Sequence, residues 1–473
     1  MKIKIYSLLL LAILLNSCSD YFDVSPKTNI KAEDLFQNET GFNDALLGVY
    51  TIMSTKNLYG ENMTYGFMDV LAQYYPGIKS NTNHIFINDV AYDYTNLAVS
   101  NRIGTIWDKH YSAIANTNAI LKYIDNNPAI FSGGSHDVFK GEAMALRAYL
   151  HFNLLRTFAN APVLGMEEKA IPYVDVYSKE AQPALTVSEV LDKIIADLEA
   201  AHELMKESDP YGPNFASIPV LSTPKVLTNR QYRMNYYAVT AALAIVNQYA
   251  GNNEDALLYA QEIIGTADGT TKAPISLFKF ANLSTDVTAA SEIIFKLNVS
   301  KLVTYTDTYL SFAASQGLRN TWLGINTAII NQMYATTGGT SIDVRPSVFF
   351  GASINGESAV AKYTNKTDVP MLKISELYLV AAQLETDLNN ALAYFNKFTA
   401  SRGIAAKSGL TREELDAEID NEFKKEFIGE GKLFWNYKRK NATTIGSAND
   451  VTVTNSAIYT LPIPADEYEF GNL

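Results

Sequence analysis

Apolar residues recur every three or four positions over most of the chain, which is the period of an amphipathic helix. The pattern stops in two long stretches, 55–98 and 266–345, where Gly, Asn, Thr and aromatic residues become frequent. One strand is predicted, over 292–297. The predicted helices cover residues 33–52, 103–124, 142–158, 187–205, 234–250, 254–264, 375–385, 389–402 and a last segment that opens at Thr411. The pattern therefore predicts a mainly α-helical protein with large irregular loops and a few short strands.

Two parts of the chain, 234–264 and 375–402, repeat one arrangement. In each, a helix rich in Tyr and Ala is followed after a short turn by a second helix that carries Ala-x-x-Tyr or Ala-x-x-Phe. Antiparallel pairs of this size look like tetratricopeptide units, which stack into scaffolds. Small residues such as Ala238 and Ala242 would let a neighbouring helix come close.

The N-terminus has the pattern of an export signal. Lys2 and Lys4 precede residues 7–15, which are almost all Leu, Ile and Ala. This apolar run is shorter than the roughly 20 residues that span a bilayer. Leu15 lies three residues before Cys18, the only cysteine of the chain, and this spacing resembles the lipobox of bacterial lipoproteins. The resemblance implies cleavage before Cys18 and lipidation of its thiol; the alternative is an incidental cysteine in an ordinary signal peptide.

Cleavage at that point leaves 456 of the 473 residues, more than the usual domain of about 50–250 residues. With no second cysteine the mature chain can form no internal disulfide, so its stability must come from burial. We expect one large body after a short tether. The predicted segments are a signal peptide (1–17), a lipidated tether (18–30) and the body (31–473), the last divided into a helical part (31–265), a loop-rich ligand region (266–345) and a C-terminal part (346–473).

Charge and composition exclude some classes of partner. The net charge is −12, and it falls to −14 when Lys2 and Lys4 leave with the signal peptide. Such a surface repels polyphosphates, so a nucleic-acid partner is not expected. Only 19% of residues are charged, and 29 Tyr and 22 Phe are present, which is unlike a disordered acidic chain. Abundant tyrosine suits ligands that have both polar groups and an apolar face.

Six stretches, in order, resemble signatures of the SusD/RagB family of outer-membrane nutrient-binding lipoproteins. They are CSDYFDVSP (18–26), NRIGTIWDKHYSAIANTNAIL (101–121), GEAMALRAYLHFNLLRTFANAPVL (141–164), KYTNKTDVPMLKISELYLVAAQ (362–383), EFKKEFIGEGKLFWNYKR (422–439) and TLPIPADEYEFGN (460–472). Lys373, Gln383 and Lys432 stand where the family usually has Arg, Glu and Arg. We interpret these three positions as structural ones that pair charges around the helices.

The resemblance implies a fold and a role. It implies four tetratricopeptide-like helical pairs with irregular loops that form a ligand surface. Family members sit on the bacterial surface as a lid over a SusC-like TonB-dependent outer-membrane transporter, and they capture glycans or, in some branches, peptides. We therefore expect a membrane association through the lipid anchor, a glycan ligand and a transporter partner.

Sugar rings have an apolar face and polar edges, so their binding sites combine an aromatic ring with amide or carboxylate groups. Trp107 and Trp435 fit helix patterns and are assigned to the scaffold. Trp322, in GLRNTWLGINT, has no periodic context and is either a ligand platform or a loop anchor. In the family, ligand contacts come from the loop before the Trp107 helix and from the loop region before Asp343. In this chain these loops supply the candidates Tyr74, Tyr75, Asn81, Asn83, His84, Tyr92, Tyr94, Tyr305 and Tyr309.

No pattern indicates catalysis, a cofactor or a metal. The chain has no Gly-x-Ser-x-Gly elbow, His-Glu-x-x-His motif or phosphate loop, and its five histidines show no ligand spacing. Residues 429–432 (GEGK) are interpreted as a turn after a helix. His110 and His151 fall within helix patterns and are assigned structural roles.

Three functions remain open, and the surface near residues 74–94 and 322 distinguishes them. Exposed, roughly coplanar aromatic rings would favour a glycan. A deep cleft with main-chain donors and no exposed ring would favour a peptide. Complete burial of those rings would favour a transporter lid without ligand affinity of its own.

Overall fold

Most of the long helices pack against the next long helix in sequence. The computed structural model describes residues 32–214, 224–286, 288–336, 342–448 and 451–472; the predicted signal peptide, the tether and Cys18 lie outside these residues. The helices are α1 (Ala32–Leu35), α2 (Glu39–Met53), α3 (Phe67–Leu71), α4 (Ile87–Val90), α5 (Leu97–Tyr123), α6 (Ser135–Phe158), α7 (Val187–Met205), α8 (Tyr236–Ala250), α9 (Asn253–Ile264), α10 (Leu302–Leu310), α11 (Thr327–Met333), α12 (Arg345–Phe349), α13 (Ile374–Leu384), α14 (Leu388–Ala400), α15 (Arg412–Glu426), α16 (Leu433–Arg439) and α17 (Ala465–Phe470).

Eight of these helices form the scaffold as four successive pairs. Along the series α2, α5, α6, α7, α8, α9, α13 and α14, each helix contacts the one before it. The pair α8–α9 shows how the sequence produces this. Gly251 ends α8 in a left-handed conformation (φ 88°), which glycine adopts without strain, and α9 begins two residues later. Ala238 and Ala242 are buried, as close helix packing requires.

Local signals set several helix ends. The Thr186 hydroxyl accepts from the Glu189 N–H and the Glu189 carboxylate accepts from the Thr186 N–H, a capping box that starts α7 where the sequence predicts it. Thr411 and Glu414 start α15 in the same way. These predicted starts are confirmed.

Within the described residues, the strands form four two-stranded antiparallel sheets. They pair as β1 (Lys169–Pro172) with β2 (Ala184–Thr186), β3 (Ile293–Asn298) with β6 (Asp368–Lys373), β4 (Gly324–Asn326) with β5 (Glu357–Ala359), and β7 (Thr444–Ile445) with β8 (Val451–Thr452). The predicted strand at 292–297 is β3. A mainly helical fold with few short strands is thus confirmed.

Two differences from the predicted elements have physical causes. Helix α6 begins at Ser135, earlier than the predicted Glu142, and nearly all its residues are buried, so its sequence shows no polar face. The region 266–345 contains α10, β4 and α11 in addition to β3. These added elements are short and give little periodic signal.

Buried ion pairs join the C-terminal helices to the strands. Lys373 at the end of β6 lies 2.8 Å from the Glu430 carboxylate and 3.3 Å from that of Glu426. Lys432 pairs with Glu376 of α13. The charge-pairing role predicted for Lys373 and Lys432 is therefore confirmed. In the part of the chain that the structure describes, no helix is both long and apolar enough to cross a membrane.

Candidate functional site

A cleft of about 270 Å³ lies where three segments meet. The first is the segment 77–84 that follows α3, the second is the loop 318–324 between α10 and β4, and the third is the start of β5. We call this the loop cleft. It is lined by Gly77, Ile78, Ser80, Asn81, His84, Leu318, Arg319, Trp322, Gly324 and Glu357.

Side chains of the first segment hold the second in place. The Asn81 amide donates to the Leu318 carbonyl at 3.0 Å. His84 Nδ1 accepts from the Phe86 N–H, so the ring proton is on Nε2, which donates to the Trp322 carbonyl at 3.2 Å. Burial lowers the pKa of His84, which favours this neutral form. Two of the predicted residues thus fix the position of a third.

An arginine–glutamate pair forms the charged part of the loop cleft. Glu357 Oε2 accepts from the Trp322 indole N–H at 2.7 Å and also contacts the Arg319 guanidinium. Arg319 has a left-handed backbone (φ 54°), which is uncommon for a residue other than glycine. Its Nε is buried and has no hydrogen-bond partner among the described residues. Such strain in a loop is typical of ligand sites.

Glycine makes room for this pair. A Cβ atom at Gly324 would collide with the Trp322 indole nitrogen and lie 2.8 Å from Glu357 Oε2. A side chain at this position would therefore displace the bond between the indole and the carboxylate.

The loop cleft offers both donors and acceptors next to apolar surface. The side chains of Arg319 and Glu357 remain 31% and 20% exposed, and Leu318 at the rim is 78% exposed. A carboxylate accepts from hydroxyl or amide groups, and a guanidinium donates to hydroxyl, carbonyl or carboxylate oxygens. The arrangement can therefore bind a neutral polar ligand that has an apolar face.

A second cavity of about 270 Å³ lies beside β3 and β6, and its buried lysines are already paired with carboxylates. Lys362 and Lys373 on its wall lie 2.9 and 2.8 Å from the Glu430 carboxylate. These side chains bind each other and support the scaffold. The loop cleft is therefore the stronger candidate for a ligand site.

Comparisons with known proteins agree with this architecture. Residues 20–216 match a SusD-like family model described as starch-binding associating with outer membrane. SusD-like protein P25 of Formosa agariphila is 23% identical over 190 residues, which is 39% of this chain and 34% of that protein. A SusD-like carbohydrate binding protein from Bacteroides vulgatus, of known crystal structure, superposes with a TM-score of 0.67 at 18% identity and covers 92% of this chain and 97% of that one. A laminarin binding SusD-like protein superposes with a TM-score of 0.62 at 16% identity, over 92% and 98% of the two chains.

The chain has the fold of the SusD-like proteins, and its residues 20–216 match the SusD-like family model. The resemblance found in its sequence signatures is confirmed by the family model and by the shared fold. The alignment with the curated relative P25 spans about a third of that relative's length. The solved structures therefore establish the fold of this chain, whereas its ligand has to be argued from its own residues.

Two predicted ligand residues are part of the scaffold. Tyr74 and Tyr75 are 0% and 1% exposed. The Tyr74 hydroxyl donates to the Lys424 carbonyl at 2.6 Å, and the Tyr75 hydroxyl donates to the Tyr65 carbonyl at 3.0 Å. Their rings fill the core and their hydroxyls satisfy buried carbonyls, so neither ring is free to stack on a ligand. This corrects the prediction for these two residues.

Five further predicted residues do not line the loop cleft. Tyr92 and Tyr94 are half-buried and donate to the carbonyls of Leu71 and Ile458. Tyr309 is buried and Tyr305 is half-buried against the core, whereas Asn83 lies within the segment 77–84 but is exposed away from the cleft lining. Of the predicted ligand residues, the structure brings Asn81, His84 and Trp322 together.

The assignment of Trp107 and Trp435 to the scaffold is confirmed. They are 1% and 4% exposed, and their indole N–H groups donate to Glu467 and Thr157. No cluster of His, Cys, Asp and Glu suited to a metal ion occurs among the described residues.

Sequence reasoning missed Arg319 and Glu357. Arg319 lies three residues before Trp322, so the cluster of the two in GLRNTW is a usable signal. Glu357 is 35 residues from Trp322 in the chain and reaches it only because β5 pairs with β4. No spacing in the sequence links them.

Proposed function

We propose that this SusD-like protein is a lipid-anchored cell-surface protein that binds an oligosaccharide in the loop cleft and delivers it to a SusC-like TonB-dependent outer-membrane transporter. It performs no chemistry of its own. The observation that carries the proposal is the convergence of Asn81, His84 and Trp322 on the half-exposed Arg319–Glu357 pair.

The chemistry of the loop cleft supports a glycan. A sugar ring presents adjacent hydroxyls, each of which can both donate and accept, and the carboxylate, guanidinium and amide of the cleft match that alternation. Leu318 and the edge of the Trp322 ring supply apolar surface. The matching family model is described as starch-binding, and two structural neighbours are described as carbohydrate binding and laminarin binding.

Calorimetric titration tests the ligand class. The chain from Ser19 onward, which lacks the predicted lipidation site, is titrated with starch fragments, laminarin fragments and other oligosaccharides. We expect saturable binding to one of them. Glu357→Gln should weaken it by about 1.5–3 kcal/mol, as for loss of a charged hydrogen bond, and Trp322→Ala should weaken it by about 1–3 kcal/mol.

Glu418→Gln is the matched control. Glu418 is a comparably exposed carboxylate, 30% exposed and paired with Lys407, and it does not line the loop cleft. Unchanged affinity in this variant together with loss in Glu357→Gln would place the ligand in the loop cleft. Equal affinity in all variants would mean that the glycan binds elsewhere.

One observation favours a peptide as the second candidate. Trp322, the one indole on the cleft wall, is only 5% exposed, so the loop cleft presents no open aromatic platform. A guanidinium next to a carboxylate can also bind the main-chain amides of a peptide. Mixed short peptides in the same titration test this, and binding of peptides but no glycan would replace the first proposal.

The anchor and the transporter are tested separately. Replacing Cys18 by Ala should abolish incorporation of radiolabelled palmitate and release the protein from the membrane fraction. Purification of the wild-type protein from cells under mild detergent should recover an outer-membrane transporter. If the protein is purified without a transporter but still binds the glycan, the proposed glycan binding would be retained and the proposed delivery to a transporter would be withdrawn.

A further inference from the structure

Two arginines of α6 have the same burial and different partners. Arg147 and Arg156 are each 8% exposed. Arg147 forms a bidentate pair with Asp197, with nitrogen–oxygen distances of 2.7 and 2.8 Å. Among the described residues, Arg156 has no carboxylate within ion-pair distance: its guanidinium donates to the Asn153 side-chain oxygen, and its Nε has no hydrogen-bond partner. A buried charge without a counter-charge is costly, so this contrast requires an explanation.

Aromatic rings stack on the Arg156 guanidinium, but they do not provide an acceptor for all of its N–H groups. The guanidinium carbon lies 3.4 Å from the centre of the Trp435 ring and 4.8 Å from that of Phe152. Rings engage the flat faces of a guanidinium, whereas its N–H groups point outward in its plane. The Nε–H therefore still lacks an acceptor.

A small cleft lies next to this group, and we call it the Arg156 cleft. It has a volume of about 30 Å³, more than the roughly 10–15 Å³ that one water needs. Helices α6, α8, α13, α15 and α16 meet there. Its lining includes Arg156, Arg439, Tyr249, Lys432 and Glu376.

The charge on its wall is positive. Lys432 is paired with Glu376, the only carboxylate among the described lining residues. Arg439 donates to the side-chain oxygens of Gln383 and Asn436, and no carboxylate of the described residues lies within ion-pair distance of it. Two guanidiniums therefore remain without a carboxylate partner beside one cavity.

A second orphaned donor lines the same cleft. Tyr249 is 5% exposed, and its hydroxyl has no hydrogen-bond partner among the described residues. An acceptor in the cleft would serve both Arg156 Nε–H and the Tyr249 hydroxyl. An acceptor that also carries negative charge would balance the two guanidiniums.

We infer that the Arg156 cleft binds a small inorganic anion of halide size. Its volume excludes a ligand as large as a sugar acid. The bound anion lies between α6 and α8 on one side and α16 on the other, so its binding is coupled to the packing of these helices. The site is separate from the loop cleft and independent of the proposed function.

Chloride-dependent stability tests the inference. The full chain in detergent is unfolded by heat in increasing sodium chloride, with sodium gluconate holding the ionic strength constant. Because an anion that binds only the folded state stabilises it by mass action, the midpoint should rise with chloride and saturate. Tyr249→Phe should shift the half-saturating chloride concentration upward by about tenfold or more, because it removes one hydrogen bond to a charged acceptor.

Arg147→Gln and Arg156→Gln form the matched pair. Both remove an equally buried arginine of α6, yet only Arg156→Gln should abolish the chloride dependence. A chloride response that survives in Arg156→Gln, or that is lost equally in Arg147→Gln, would overturn the inference.

A crystallographic measurement covers the case in which Arg156→Gln does not fold. Crystals of the unmodified protein grown in sodium bromide should show an anomalous bromide peak within hydrogen-bond distance of Arg156 Nε and the Tyr249 hydroxyl. A cleft without bromide, in a protein whose midpoint ignores chloride, would also overturn it.

Discussion

Arginine and glutamate meet both in the scaffold and in the loop cleft, and their surroundings differ. In the scaffold, Arg402 donates to Glu426 and Glu292, and all three side chains are at most 1% exposed. In the loop cleft, Arg319 contacts Glu357, and these side chains are 31% and 20% exposed. A buried pair is costly to break because one charge is left without water or partner, whereas an exposed pair is worth little to stability. The comparison assigns the first pair to folding and the second to binding.

The largest expected effect comes from the scaffold. Arg402→Ala leaves Glu426 and Glu292 with one fewer counter-charge in the core. We expect the free energy of unfolding to fall by about 3–5 kcal/mol, measured by urea denaturation at neutral pH. Lys206→Ala is the control, because Lys206 is 47% exposed and lies 4.0 Å from the exposed Glu203 carboxylate. Equal losses in the two variants would contradict the assignment of the Arg402 pair to folding.

Acid should also destabilise the scaffold, through two buried histidines. Burial lowers the pKa of His110 to about 4 and that of His151 to about 3, from 6.5. Below pH 6.5 the unfolded chain binds protons that the folded chain does not, so stability falls as pH falls. Between pH 7.5 and 5.0 each histidine should cost about 2 kcal/mol of unfolding free energy, before most carboxylates titrate.

The variant His151→Gln removes the contribution of one of the two histidines to the pH dependence of stability. His151 Nε2 accepts from the Val174 N–H at 3.0 Å, and glutamine can place an oxygen there. The variant should be less stable at pH 7.5 because its bond to the Arg147 carbonyl is lost. It should then lose about 2 kcal/mol less than the wild type on going to pH 5.0. An unchanged pH slope would mean that His151 is not held neutral.

The scaffold and the loop cleft also differ in how well the sequence predicts them. Helical periodicity identified the eight scaffold helices, because each has apolar residues on the faces that pack. It misplaced the start of α6, whose residues are buried on nearly every side. Periodicity records burial within one segment, and it predicts the scaffold for that reason.

The residues of the loop cleft are brought together by contacts between distant segments. Such contacts produce a weaker pattern in the sequence than helical burial does. Trp322 stood out because it has no periodic apolar context, and Asn81 and His84 because the family resemblance points to their loop, whereas Glu357 came from a distant strand. Tyr74 also lies in a non-periodic loop, yet it is buried, since a tyrosine hydroxyl can satisfy a backbone carbonyl inside the core. Loop position alone therefore does not distinguish a ligand aromatic from a core aromatic.

A smaller stability effect is expected where the two loops of the cleft join. The Asn81 amide donates to the Leu318 carbonyl at 3.0 Å, and this bond is partly solvent-exposed. Asn81→Ala should lower the unfolding free energy by about 1 kcal/mol, the net value of one hydrogen bond. Ligand affinity should fall more than stability does, because the loop that carries Arg319 loses a support. Asn83→Ala, at an exposed neighbouring position, should change neither quantity.

The smallest stability effect is expected for Glu357→Gln, and it is the sharpest test of the comparison. The substitution keeps the size of the side chain and an oxygen that can accept from the Trp322 indole N–H, but it removes the charge that faces Arg319. Because both partners reach solvent, urea denaturation should show a loss of less than about 1 kcal/mol. Calorimetry should show a larger loss of ligand affinity in the same protein. If stability instead fell as far as in Arg402→Ala, the Arg319–Glu357 pair would be a second scaffold contact. The loop cleft would then need its ligand-binding groups elsewhere on its wall, with Ser80 and Leu318 next in line because both are exposed there.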